Sequence, residues 1–155
     1  MSNVPDLPFP DLDPRAHHPA GDPARPLVLL LERCREDVER HTRALVSAGC
    51  DVITVGHVEE AVRAASRFLP SLLVLEVRRP EVEALLRALA QDDRISPIPA
   101  IVLAEDADPA VRHAVLPFRP AEFHVKPISP AHLARAVLRT LDAMTMEPAA
   151  YRLAS

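Results

Sequence analysis

The chain has 155 residues, enough for one ordinary domain, and 48% of them are apolar, ample for a packed core. Aromatic residues are only 3% and Trp is absent, so that core must be aliphatic, built from Leu, Val and Ala. A net charge of −4 gives no long-range attraction to nucleic acid or to an anionic membrane, and no apolar run is long enough to cross a bilayer.

Residues 1–26 carry Pro5, Pro8, Pro10, Pro14, Pro19, Pro23 and Pro26, a density that forbids helix and ladder pairing. They read as an extended or disordered arm in which His17 and His18 are a solvated pair. No basic stretch followed by an apolar one opens the chain, so no signal peptide is expected and the expected location is cytoplasmic. Cys34 and Cys50 match no zinc or redox spacing and are expected to be reduced thiols.

Order is expected from Leu27. Leu27–Leu31 is apolar on both faces, the pattern of a central parallel strand. Asp37 to Ala48 reads as a helix with Val38, Thr42, Leu45 and Val46 inward, ended by Gly49. Asp51–Val55 is short and β-branched, a second strand. His57 to Leu69 follows as a helix with Val58, Ala61, Val62, Ala65 and Leu69 on one face, stopped by Pro70. Leu72–Leu75 is the third strand. Glu81 to Gln91 is a helix whose Val82, Leu85, Leu86 and Leu89 repeat at i, i+3, i+4, i+7. Ile98 to Leu103 is the fourth strand, and Asp108 to Val115 a short helix capped by Asp108 with Pro109 at its first position. Glu122–Val125 is the fifth strand. Ser129 caps the last helix, which Pro130 opens and Leu133, Val137, Leu141 and Met144 line.

Strands alternating with helices of these lengths imply parallel strands joined by right-handed crossovers, with helices on both faces. The expected architecture is a flavodoxin-like (βα)5 three-layer sandwich with strand order 2-1-3-4-5. It spans residues 27–143, between the arm at 1–26 and a tail at 144–155. In such sheets the working end lies beyond the carboxyl ends of the strands. There the sequence places Glu32-Arg33 after the first strand, Glu76 after the third and Ala104 after the fourth. Lys126-Pro127 follows the fifth. Lys126 is the single lysine among 18 basic side chains.

Those positions resemble the receiver domain of bacterial response regulators. The resemblance covers about three quarters of the chain and rests on the Glu76-to-Pro80 interval, the Ala104-to-Lys126 interval and the Lys126-Pro127 pair. The family places an acidic pair after the first strand, a phospho-accepting Asp after the third, Thr or Ser after the fourth and Lys-Pro after the fifth. By that correspondence Glu76 stands at the phosphoacceptor. Glu32 and Arg33 form a degenerate acidic site, and Ala104 and Phe123 sit at the switch positions. A Glu there misplaces its oxygens by about a bond length, and a misplacement of about 1 Å can cost ~100-fold in rate. It either imitates a phospho-Asp or is retained for local charge pairing. Arg33 supplies no oxygen to Mg²⁺ and repels it. It either replaces the metal as local cation, facing Glu32 and Glu76 alongside Lys126, or points to solvent. Ala104 has no hydroxyl, and Phe123 is expected as a core or half-buried ring. His124 beside it is assigned no chemistry. Arg78 and Arg79 make the following loop basic, able to dock an acidic partner or simply solvated. The Gly-containing turn usual after the third strand is missing, and Arg119-Pro120 replaces the usual Gly-Ala before the fifth.

Three glycines cannot build a phosphate-binding loop, and no nucleophile–base or HExxH arrangement is legible, so no enzyme activity, cofactor or metal is expected. The expected function is a stand-alone, degenerate receiver that works by phosphorylation-independent binding to a sensor kinase, another regulator or itself. By the resemblance, homodimers would use the face of the fourth helix, fifth strand and fifth helix. The Pro-rich arm and Glu147–Tyr151 could add a short binding motif. Two alternatives stay open: a working phosphorelay receiver with relaxed metal and acceptor needs, and a structural subunit of a larger assembly.

Overall fold

A computed structural model describes residues 25–145; the arm up to residue 24, with His17 and His18, and the tail from residue 146 lie outside the described residues. The strands are β1 (Leu27–Leu31), β2 (Asp51–Val55), β3 (Leu72–Val77), β4 (Ala100–Ala104) and β5 (Glu122–Val125). The helices are α1 (Arg35–Ser47), α2 (Val58–Phe68), α3 (Val82–Ala90), α4 (Pro109–Val115) and α5 (Pro130–Thr145). All pairings are parallel, in the order β2-β1-β3-β4-β5, as the alternation of elements predicts. No described helix is long and apolar enough to cross a membrane.

Two aliphatic layers sandwich the sheet. Leu27, Leu29, Leu31, Leu73, Leu75 and Val77 face α2, α3 and α4. Val28, Leu30, Leu72 and Val74 face α1 and α5. Side chains alternate along a strand, so a central strand buried on both faces must be apolar throughout. β1 and β3 meet that requirement at every position except Glu76, the one buried charge in either strand.

Several details differ from the sequence pattern. Ordered contacts begin before Leu27, because Arg25 donates to Asp51 at 3.1 Å and to the Cys50 carbonyl at 3.0 Å. α5 runs two residues past 143. Val46 and Met144 are exposed; His41 rather than Val46 faces inward on α1, and Ala136 and Thr140 accompany Leu133 and Val137 on α5. Leu69 is not on the apolar face of α2. It leaves the helix in the left-handed region at φ 46° and is 42% exposed, while Phe68 is buried in its place. Gly49 ends α1 as predicted, with φ 100°. α4 is one short run that tightens into a 3-10 turn at Leu116–Phe118. That turn ends on Arg119 at φ 54°, so Arg119-Pro120 turns the chain into β5 by a left-handed residue in place of glycine. Cys34 is exposed and Cys50 buried, both as free thiols.

Candidate functional site

Strand parity decides which side chains meet. Glu32 continues the Val28, Leu30 series beyond β1, and Glu76 continues the Leu72, Val74 series in β3. Leu103 pairs with His124 in β4–β5, so Lys126, two residues on, falls on that same side. Glu32, Glu76 and Lys126 therefore converge under the α1–α5 layer at the carboxyl ends of the strands. Lys126 Nζ lies 2.8 Å from Glu32 Oε2 and 3.0 Å from Glu76 Oε2. Both carboxylates are 2% exposed.

Arg33 turns inward, the first of the two orientations open to it. Its Nη1 donates to Glu76 Oε1 at 2.9 Å and to the Glu76 carbonyl at 3.2 Å, while Nη2 bonds Glu81 at the start of α3. Arg78 adds a third cation, donating to Glu76 Oε1 at 3.2 Å. Glu32 Oε2 also accepts the backbone N–H groups of Arg33 and Cys34, both at 3.1 Å, which ties the entry to α1. The other oxygen, Glu32 Oε1, is buried with no hydrogen-bond partner among the described residues.

Two further participants, both on α1, lie outside the positions that the sequence singles out. Asp37 on α1 places Oδ2 3.1 Å from Lys126 Nζ, and its other oxygen takes Arg40. One turn on, the buried His41 places Nε2 3.3 Å from the Ile128 carbonyl. Asp37 and His41, spaced i, i+4 on α1, thus hold the chain on either side of Pro127, whose bond to Lys126 is cis. The available signal was that spacing on the helix after the first strand, hidden in the mixed charges of Arg35 to Arg40.

Charge compensates charge throughout. Glu32, Asp37, Glu76 and Glu81 face Lys126, Arg33, Arg78 and Arg40. Burial pushes the Glu76 carboxyl up, but the hydrogen bonds from Lys126 and Arg33 outweigh it and hold the group below its ordinary value. Burial likewise pulls the Lys126 ammonium down, and the carboxylates of Glu32, Glu76 and Asp37 reverse this, raising it well above the ordinary lysine range. Among the described residues no group of three or more His, Cys, Asp or Glu side chains is arranged to hold a metal ion.

The remaining predicted positions sit around this cluster. Ala104 is buried at the end of β4, and its carbonyl accepts the Lys126 N–H at 2.9 Å. Phe123 is half-buried against the α2–α4 layer, with the Arg112 guanidinium 5.2 Å above its ring. His124 faces the other way; its Nε2 lies 2.8 Å from Glu122 and its ring meets His132 edge-on. Arg78 is part-buried, with Nε 3.4 Å from Glu105, while Arg79 is exposed and donates to Asp108 at 3.2 Å.

No family model matches the sequence, and no curated protein matches it. Solved structures do. The signal receiver domain of a signal transduction histidine kinase from Syntrophus aciditrophicus is 28% identical, with a TM-score of 0.69 over 80% of this chain and 96% of that one. A response regulator receiver protein from Pseudomonas putida is 26% identical, with a TM-score of 0.67 over 75% and 98%. A CheY-like receiver domain protein from Methanospirillum hungatei is 16% identical, yet superposes with a TM-score of 0.71 over 81% and 100%. Strand order, the placement of acids and lysine at the strand ends, and these solved neighbours agree on one architecture: the chain has the CheY-like receiver fold of two-component signalling.

Proposed function

We propose that the chain is a receiver-type signalling module that works in the cytoplasm by binding protein partners, without a phosphorylation cycle of its own. The observation that carries this is the Arg33 guanidinium seated on the Glu76 side chain and carbonyl. A carboxylate that attacks a phosphoryl group needs a free oxygen in line with the leaving group. Both Glu76 oxygens are engaged by cations in a side chain only 2% exposed: Oε1 holds Arg33 and Arg78, and Oε2 holds Lys126.

The fold family implies Mg²⁺ at this end of the sheet, and the residues present do not fit it. A hard divalent cation needs several oxygens converging without competing cations. Here the oxygens of Glu32, Asp37 and Glu76 converge on the Lys126 ammonium, and those of Glu76 and Glu81 on the Arg33 guanidinium. Ala104 adds no hydroxyl to bind a transferred group. The partner in this proposal is a sensor kinase, another regulator or a second copy of the chain.

An amide NMR titration of the intact chain, first with Mg²⁺ and then with beryllofluoride, tests this. Signals of Glu32, Glu76, Ala104 and Lys126 are expected to stay in place at millimolar Mg²⁺. Shifts there, extended by beryllofluoride into α4 and β5, would establish a phosphorylation-type switch instead.

A further inference from the structure

Ala104 leaves β4 without a side chain that could report the state of Glu76 to α4. The loop after β3 supplies a different connection. Arg78 bonds Glu76 Oε1 at 3.2 Å through Nη2, and its Nε lies 3.4 Å from Glu105, the first residue beyond β4. The neighbouring Arg79 reaches Asp108 Oδ2 at 3.2 Å. Asp108 is the residue that starts α4, its other oxygen accepting the Ala110 N–H at 2.9 Å. From α4, Arg112 lies 5.2 Å over the ring of Phe123 on β5. Ion pairs joined by short stretches of backbone thus lead from a buried carboxylate to the surface made by α4 and β5.

We propose that Arg78 and Arg79 are positioning residues that hold α4 in place through the pairing of Arg78 with Glu76, where β4 lacks a hydroxyl switch. Two features make the pair suited to this. At the Glu76 end the carboxylate is buried and Arg78 is 32% exposed, whereas at the α4 end the Arg79 side chain is 62% exposed. Exposed ion pairs are individually weak and fade within a Debye length as salt rises. They can therefore be exchanged without unfolding anything, and α4, only seven residues long, has little intrinsic hold of its own. The inference stands apart from whether the site takes a phosphoryl group, since it needs only that Glu76 be charged and paired.

The test uses the full chain and amide NMR in a double-mutant cycle. Glu76→Gln alone is expected to shift amides at 105–118 and 122–125. In the Arg78→Ala, Arg79→Ala background the same substitution is expected to leave those amides in place. Because Glu76→Gln can weaken the fold, hydrogen exchange on chains that retain Glu76 gives a second reading. Between about 20 mM and 1 M NaCl, α4 amides of the parent chain are expected to exchange about threefold to tenfold faster, with α2 unchanged. In the double arginine variant α4 is expected to be fast at both salt levels. If α4 exchanges identically in parent and double variant at low salt, or if Glu76→Gln moves α4 equally without the arginines, the coupling is overturned.

Discussion

A single carboxylate, Glu76, shows how far position alone can be trusted. Its place, and those of Glu32, Arg33 and Lys126, were legible because strand ends are easy to find and strand parity fixes the facing side. Its company was not. Asp37, Glu81 and His41 depend on the rotation of α1 and the path of one loop, and their sequence neighbourhoods are ordinary charged helix starts. The ionic cluster makes Lys126 the most costly side chain to lose. Lys126→Met leaves Glu32 and Glu76 buried without their shared cation, and urea unfolding is expected to show a loss of about 3–5 kcal/mol. The same contacts set the pH limits. Glu76 is held below its ordinary 4.5, so its contribution is present above that value and drains away as pH falls below it. Lys126 is raised above 10.5, so its share is intact below that value and is lost only as pH climbs past it. Urea midpoints measured from pH 2 to 5 are expected to fall more steeply for the parent than for Glu76→Gln; equal slopes would sink the assignment.

At the level of elements, the inward face of α3 is legible from its spacing, since Val82, Leu85, Leu86 and Leu89 are all buried, while its ends lie one residue inside the expected Glu81 to Gln91. α1 and α2 were misread by one position at their C-terminal turns, where an apolar side chain sat next to a chain reversal. Val46 and Leu69 are hydrophobic, but each falls where the helix has already turned its face outward or stopped. Periodicity cannot detect this, because Leu69 ends α2 in a conformation that a sequence normally announces with glycine. That choice has an energetic cost of about 1–2 kcal/mol for an L-residue with a Cβ. Glycine at the same place gives back about 0.5–1 kcal/mol through unfolded-chain entropy. Leu69→Gly also removes a side chain only 42% exposed, worth about 1 kcal/mol of burial, so the terms nearly cancel and Tm in a thermal melt is expected to stay within about 3 °C. A larger fall in Tm would mean that the half-covered Leu69 side chain contributes more than the backbone strain removes.

Across the whole molecule, the strand order was legible because five βα repeats with right-handed crossovers leave few arrangements. What no repeat count provides is the division of the core. The sheet separates two aliphatic layers, with Leu45 fully buried in one and Leu85 in the other. Neither layer contains enough structure to persist without the sheet, so both should melt together. Leu45→Ala and Leu85→Ala are each expected to destabilise by about 3 kcal/mol, to add within about 0.5 kcal/mol when combined, and to keep a single unfolding transition. Two separable transitions would show that the layers are independent units.

The ammonium gathered in by Glu32, Asp37 and Glu76 is also the protein's whole supply of lysine. Its side chain is only 12% exposed and is held in its unreactive, protonated form. Acylating dyes and amine-directed crosslinkers therefore find no lysine on the folded surface, and a protease that cuts after basic residues is left to arginine. Acylation of Lys126, followed by mass spectrometry, becomes a clock for opening of the sheet's working end. It is expected to stay near zero in the native chain and to advance as the cluster comes apart.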